Sequence, residues 1–237
     1  MKKMLVLGLA LAAGLLAGGA ERAGGATNEC RGLMICVPVA GPWVLVPTAS
    51  AVPRQRVEYQ MACPRGYIVG GLDAELSDRM IDVGFVALLG SPVNPGITTA
   101  RSVVLLGMYV GGGARAASFR PHIGCMPASG GGGVRIRTSV TAVFHPGEPT
   151  VRRLRTVELA PGRRQVTQAC RRGERLVSAA HAVGFYTAAP PTPAQAAAVR
   201  TSRTIRNGNV VVSVRAGAAL EGERVVVQVS ALCARRG

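Results

Sequence analysis

The chain has 237 residues, is 48% hydrophobic and carries a formal net charge of +16, enough material for one large or two small domains with real cores. Beyond residues 1–26 no stretch is long and apolar enough to cross a bilayer as a helix. Aromatic residues for stacking nucleic-acid bases are scarce, at 4%, which leaves extracellular DNA among the candidate anionic partners but ranks it below envelope polymers.

The N-terminus begins with Lys2 and Lys3, runs through an apolar stretch from Met4 to Leu16, and softens into small residues ending at Ala20 or Ala26, each with a glycine two places earlier. That three-part pattern predicts a signal peptide over residues 1–26 and a secreted or periplasmic mature protein with no transmembrane span. "ATNEC" before Cys30 lacks the leucine and small residues that precede a lipid-modified cysteine, so a lipoprotein is not expected. Removing Lys2, Lys3, Glu21 and Arg22 with the signal leaves a charge of +14 and no lysine. An all-arginine basic set is also what a GC-rich genome produces.

Six cysteines in an exported chain predict disulfides, and none forms a CxxC pair or a zinc-like spacing. An internal repeat organises them. "ACPRGYIVGG" at Ala62 returns as "ACRRGERLVS" at Ala169, and "DVGF" at Asp82 returns as "AVGF" at Ala182. Each copy closes on a cysteine, 62 positions on for Cys63 to Cys125 and 63 for Cys170 to Cys233. The repeat therefore selects Cys63–Cys125 and Cys170–Cys233, leaving Cys30–Cys36. Gly66 and Gly173 stand three residues after the opening cysteines, where a tight turn is expected.

The strands read in the same plan. Val57, Tyr59, Met61 and Cys63 alternate with Arg56, Glu58, Gln60 and Ala62, and Val225, Val227, Val229, Ala231 and Cys233 share a face opposite Gln228 and Ser230. Short Val-rich strands between Gly and Pro turns predict an all-β chain of two tandem disulfide-closed β-sandwich domains, over 27–129 and 150–237. A Gly/Pro-rich linker over 130–149 separates them, and "GPWVLVP" around Trp43 reads as an edge strand or hairpin completing the first domain. One short connecting helix is expected at "TPAQAAAVR", with Thr192 as N-cap and Pro193 in the first turn.

Both copies resemble the tandem cysteine-closed repeats of uncharacterised secreted bacterial proteins, in which C-P-x-G starts a strand and a short C-A ending closes the domain. "CPRG" at Cys63 and "LCA" at Leu232 fit; "CRRG" at Cys170 lacks the proline. The resemblance covers most of the mature chain and implies a fold and a compartment, not an activity.

Several motifs suggest chemistry and fail on context. "VVLLGMYVGGGARAAS" (Val103 to Ser118) looks like a strand entering a phosphate loop, but no helix or acidic residue follows at the required distance. Its repeat counterpart from Val210 to Val229 is strand, small-residue turn, strand, so the reading is a glycine turn at Gly111 to Gly113 leading to the strand of Cys125. Asp73, Glu75, Asp78 and Asp82 form an acidic cluster in a stretch aligned with an insertion absent from the second copy, a weak calcium candidate without EF-hand spacing. His122, His145 and His181 are too scattered for a metal cluster. His122 lies on the outward parity of its strand, and Ser178 with His181 lacks a nucleophile elbow. No catalytic residue and no cofactor is expected.

The arginines carry the functional signal. Residues 28–150 hold ten arginines and seven acids, and residues 151–237 hold fifteen and four. Arg152, Arg153, Arg155, Arg163, Arg164, Arg171, Arg172 and Arg175 concentrate in one run, and guanidinium forks suit phosphate, sulfate and carboxylate. The expectation is a non-enzymatic exported protein that contacts an anionic polymer or envelope surface through its second domain. The alternatives are a structural subunit of a surface layer or appendage, and an enzyme acting on wall or glycan.

Overall fold

A computed structural model of the chain describes residues 27–48, 54–87, 101–112, 116–128 and 150–235. The signal peptide at 1–26, the linker at 130–149, Gly113 and His145 lie outside the described residues. The first half contributes β1 (Val37–Ala40), β2 (Trp43–Val46), β3 (Arg56–Ala62), β4 (Tyr67–Leu76), β5 (Ile81–Val86), β6 (Ser102–Tyr109) and β7 (Ala117–Pro127). The second half contributes β8 (Thr150–Glu158), β9 (Gly162–Ala169), β10 (Glu174–Phe185), α1 (Pro193–Ala197), β11 (Val199–Arg206), β12 (Asn209–Ala216) and β13 (Val225–Arg235). The described chain is all-β, with α1 and a 3-10 turn at Ala218–Leu220 between strands. The Thr192 side chain accepts from Gln195 N, and Gln195 reciprocates in a capping box.

Each half pairs its strands in the same way. Three-stranded sheets run β3-β6-β5 and β9-β12-β11. In the large sheet, β7 lies between β4 and the β1/β2 segment, and β13 lies between β10 and β8. Disulfides join Cys30–Cys36, Cys63–Cys125 and Cys170–Cys233. Gly66 and Gly173 have φ of +84° and +82°, the left-handed turn that follows each opening cysteine and that a side chain would strain.

The two halves are not independent sandwiches. β2 pairs with β7 on one edge and with β10 on the other, so one sheet of seven strands runs through both halves. A strand expected at the edge of the first domain is central instead. The reason is its composition: "WVLV" is apolar on both parities, as a strand covered on both faces must be. Val44 and Val46 enter the first core with Tyr59, Phe119 and Ile123, whereas Trp43 enters the second with Phe185, Val212 and Val227. The two small sheets therefore lie on opposite faces of the large one.

β13 shows the same double burial. Its odd residues from Val225 to Cys233 fill the second core, yet Gln228 and Ser230 on the other face are also buried. The first half covers them. The Gln60 N–H donates to Gln228 Oε1 at 2.7 Å, and Gln228 Nε2 donates to the Gln60 carbonyl at 3.1 Å. The Gln228 amide thus occupies the place of a neighbouring strand on the free edge of β3.

The acidic stretch is not an insertion. β4 and β5 are joined by the short turn Ser77 to Met80, and the longer connection belongs to the second half, where residues 186–198 carry α1. The N-terminal segment from Thr27 to Cys36 lies across β4 and β7, over Gly71 and Gly124. A Cβ at either glycine would strike the Glu29 carbonyl. Gly71→Ala is expected to cost about 1–3 kcal/mol by overpacking and to lift this strap. Faster tryptic cleavage after the exposed Arg31, read on reduced protein, reports the lifting; an unchanged rate would contradict it.

Candidate anion-binding face

The eight arginines singled out in sequence do not form one patch, because β8 and β9 belong to different sheets. Arg152 donates to Glu58 Oε2 at 2.6 Å and to Ser230 Oγ at 3.0 Å, so it ties β8 to the first half. Arg153 forms a two-pronged pair with Glu174, whose carboxylate also accepts from Arg171 N. Hydrogen bonds from Arg153, then from the Arg171 backbone, hold the Glu174 carboxyl at about 2, below the ordinary 4.5. Arg155 and Arg164 donate to the carbonyls of Thr167 and Glu158. Arg171 precedes and Arg172 belongs to the turn at Gly173, and Arg175 lies on β10.

Arg163 belongs to a different arrangement. Along β9, β12 and β11 the apolar parity faces the core through Val166, Val199, Val210, Val212 and Val214. The other parity faces outward. In register, Arg215 of β12 stands opposite Arg163 of β9 and opposite Arg200 of β11. All three are exposed. The next outward row repeats the pattern with Ser213 between Gln165 and Ser202. Strands about 4.8 Å apart place three guanidinium groups across a span of about 10 Å. With Arg164 they line an open groove of about 510 Å³ with no carboxylate among its described lining residues.

This row has no ion-pair partner among the described residues. Like charges directly opposite one another in a sheet are destabilising, so the row weakens the fold locally. An anion spanning it would reverse that sign, with guanidinium N–H groups and the Ser and Gln side chains as donors. Arg200 and Arg215 were outside the run of arginines that drew attention in sequence. They stand 37 and 52 positions from Arg163, and only the β9-β12-β11 register brings them together.

The acidic candidates scatter. Asp73 and Glu75 lie on β4 of the large sheet, Asp82 on β5 of the small one, and Asp78 in the turn between. Asp73 Oδ2 accepts from Asn28 N at 2.5 Å, Asp78 Oδ1 accepts from Met80 N at 2.9 Å, and Glu75 lies 3.4 Å from His122 Nε2. Asp73 thus fastens the N-terminal strap, Asp78 its own turn and Glu75 the neighbouring strand β7, and the four do not form a close ligand group among the described residues. Among the described residues, the only close group of metal-ligating types is Cys170, Glu174 and Cys233, and both sulfurs are in the disulfide. His122 is buried rather than exposed, because the strap covers its outward face and places Glu29 Oε1 3.8 Å from Nδ1.

His181 sits on β10 with Nε2 2.9 Å from Thr201 Oγ1, and its Nδ1 is buried without a partner. Burial first, then the nearby Arg203, lowers its pKa from 6.5 to about 4. Between those values the unfolded chain takes up a proton that the folded one refuses, so stability falls as pH drops from 6.5 towards 4. The loss is expected to reach about 2–3 kcal/mol. Urea titrations of His181→Leu against wild type at pH 7.5 and 4 check this: the substitution should flatten the difference, and an unaltered pH dependence would contradict it.

No protein-family model, curated protein or solved structure matches the chain. The fold and the face therefore define only a class: an all-β, disulfide-closed protein with an unpaired row of arginines on an outer sheet.

Proposed function

We propose that this is an exported, non-enzymatic protein that binds an anionic polymer on the outer face of β9-β12-β11, and that its two halves arose by duplication. The in-register row Arg163–Arg215–Arg200, exposed and free of carboxylates, carries the reading. A row of fixed cations at strand spacing suits a ligand with repeated phosphate, sulfate or carboxylate groups, which can be held by several guanidinium forks at once. Three disulfides favour an oxidising compartment, where anionic envelope and extracellular polymers are found. The equal strand order of the halves and the matching Gly66 and Gly173 turns support duplication.

Immobilised heparin and dextran sulfate serve as probes. Wild type should be retained at low salt and elute steeply as salt rises. Arg163→Gln/Arg200→Gln/Arg215→Gln should elute at markedly lower salt, while Arg152→Gln, whose guanidinium is committed to Glu58, should elute with wild type despite lower stability. Coelution of the triple variant with wild type overturns the proposal. The central substitution Arg215→Val should also raise unfolding free energy, by a few tenths to about 1 kcal/mol, because it removes two like-charge contacts from the sheet.

A further inference from the structure

The two halves repeat along one sheet. β4, β7 and the β1/β2 segment stand in the order that β10, β13 and β8 repeat, and every neighbouring pair is antiparallel. The irregularity in β4 falls at Gly70 and that in β10 at Val177, each the seventh residue after its opening cysteine. Val37 pairs with Cys125 as Val151 pairs with Cys233. β10 runs opposite to β4, and the small sheets lie on opposite faces. A half-turn about an axis across the strands, with an advance along it, therefore carries the first half onto the second. Such an operation does not close on itself: applied again, it sets the β4 edge of a second copy against β8.

Both edges are free in the described sheet, β4 pairing with β7 and β8 with β13. Their charges are complementary. β4 contributes Asp73 and Glu75 and no basic residue, while β8 contributes the exposed Arg155 beyond its paired Arg152 and Arg153.

One obstacle separates the ends. His122 and Ser230 each stand three residues before a closing cysteine, and both are buried. Ser230 faces the first half, where Glu58 shares Arg152 with it. His122 faces the strap instead, with Glu29 buried over Gly124 and the Asn28 N–H held by Asp73. The strap thus covers, on the first half, a face that a preceding half would otherwise meet. Repeat arrays need a terminal cover of this kind to stay soluble.

We infer that the strap is a detachable cover on a head-to-tail assembly site, and that its displacement lets the β4 edge take β8 of a second copy of this chain. The inference does not rest on polymer binding, which heparin retention measures separately.

Two variants release the strap by different routes. Asn28→Pro/Glu29→Ala removes its contacts with Asp73 and His122 and leaves both strands intact, and Gly71→Ala/Gly124→Ala displaces it from below. In sedimentation velocity between about 10 and 100 μM, wild type should remain monomeric and both variants should form a series of oligomers that lengthens with concentration. Adding Arg155→Glu should at least halve, roughly, the average mass of these oligomers, because it places like charge against Asp73 and Glu75. Wild type mixed in should also shorten them: its β8 edge is open and its β4 end is covered, so it terminates a chain. Circular dichroism and melting temperatures establish that the variants fold. Monomers in both strap variants, wild type that assembles equally, or oligomers shortened neither by Arg155→Glu nor by wild type overturn the inference.

Discussion

Removing the Cys170–Cys233 bridge by the double replacement Cys170→Ala/Cys233→Ala should lower the free energy of unfolding by about 4 kcal/mol. The bridge closes a sequence separation of 63 residues, and restoring that freedom to the unfolded chain has about this value in the chain-entropy model. Cys233 is also 1% exposed in the second core, so truncation adds a small cavity loss. The equivalent change at Cys63 and Cys125, separation 62, should have nearly the same effect. The Cys30–Cys36 link closes a separation of only 6 and should contribute about half as much. Urea unfolding of the three double variants gives the comparison. Equal losses at all three would contradict the chain-entropy account.

Gln228→Leu should be nearly as damaging, although it exchanges a polar side chain for an apolar one in a buried site. It strands the Gln60 N–H and C=O, which have the Gln228 amide as their partner, at about 1–3 kcal/mol for each group left unsatisfied. The loss falls on the contact between the halves. Wild type should unfold in one transition; Gln228→Leu should lose about 3 kcal/mol or more and separate the unfolding of the two halves. A loss below about 1 kcal/mol would mean that water replaces the amide at no cost.

These two effects differ in how visible they are in sequence. The cysteine pairing follows from two nearly equal spacings, and the turns at Gly66 and Gly173 from their place after the opening cysteines. The helix at Pro193 follows from Thr192 and the proline behind it. Gln228 could not be read in the same way. A polar residue alternating with valines is the usual sign of a solvated face, and nothing local tells that another half of the chain covers it. Trp43–Val46 carried a usable sign, since four successive apolar residues are ill suited to an edge, but a central strand and an edge strand differ only in the partner they find. The arginine row was hidden for a related reason. Sequence proximity joined Arg152 to Arg175 into one apparent patch, whereas ion pairs and separate sheets divide it. Strand register then unites Arg163 with two distant residues.

The same register explains why charge counts misdirect. Arg152 and Arg153 contribute to the excess of the second half, but both are committed to Glu58 and Glu174. The charge available to a ligand is the part that folding leaves unpaired, and it is concentrated on β9, β12 and β11.

The dependence of affinity on salt tests that claim most directly. For a defined sulfated oligosaccharide long enough to span the three strands, the slope of log K against log salt counts the ion contacts made. Arg163→Gln/Arg200→Gln/Arg215→Gln should reduce the magnitude of that slope by about 2–3 relative to wild type, with the melting temperature unchanged or raised. The same slope in both proteins would show that these three arginines do not hold the polymer.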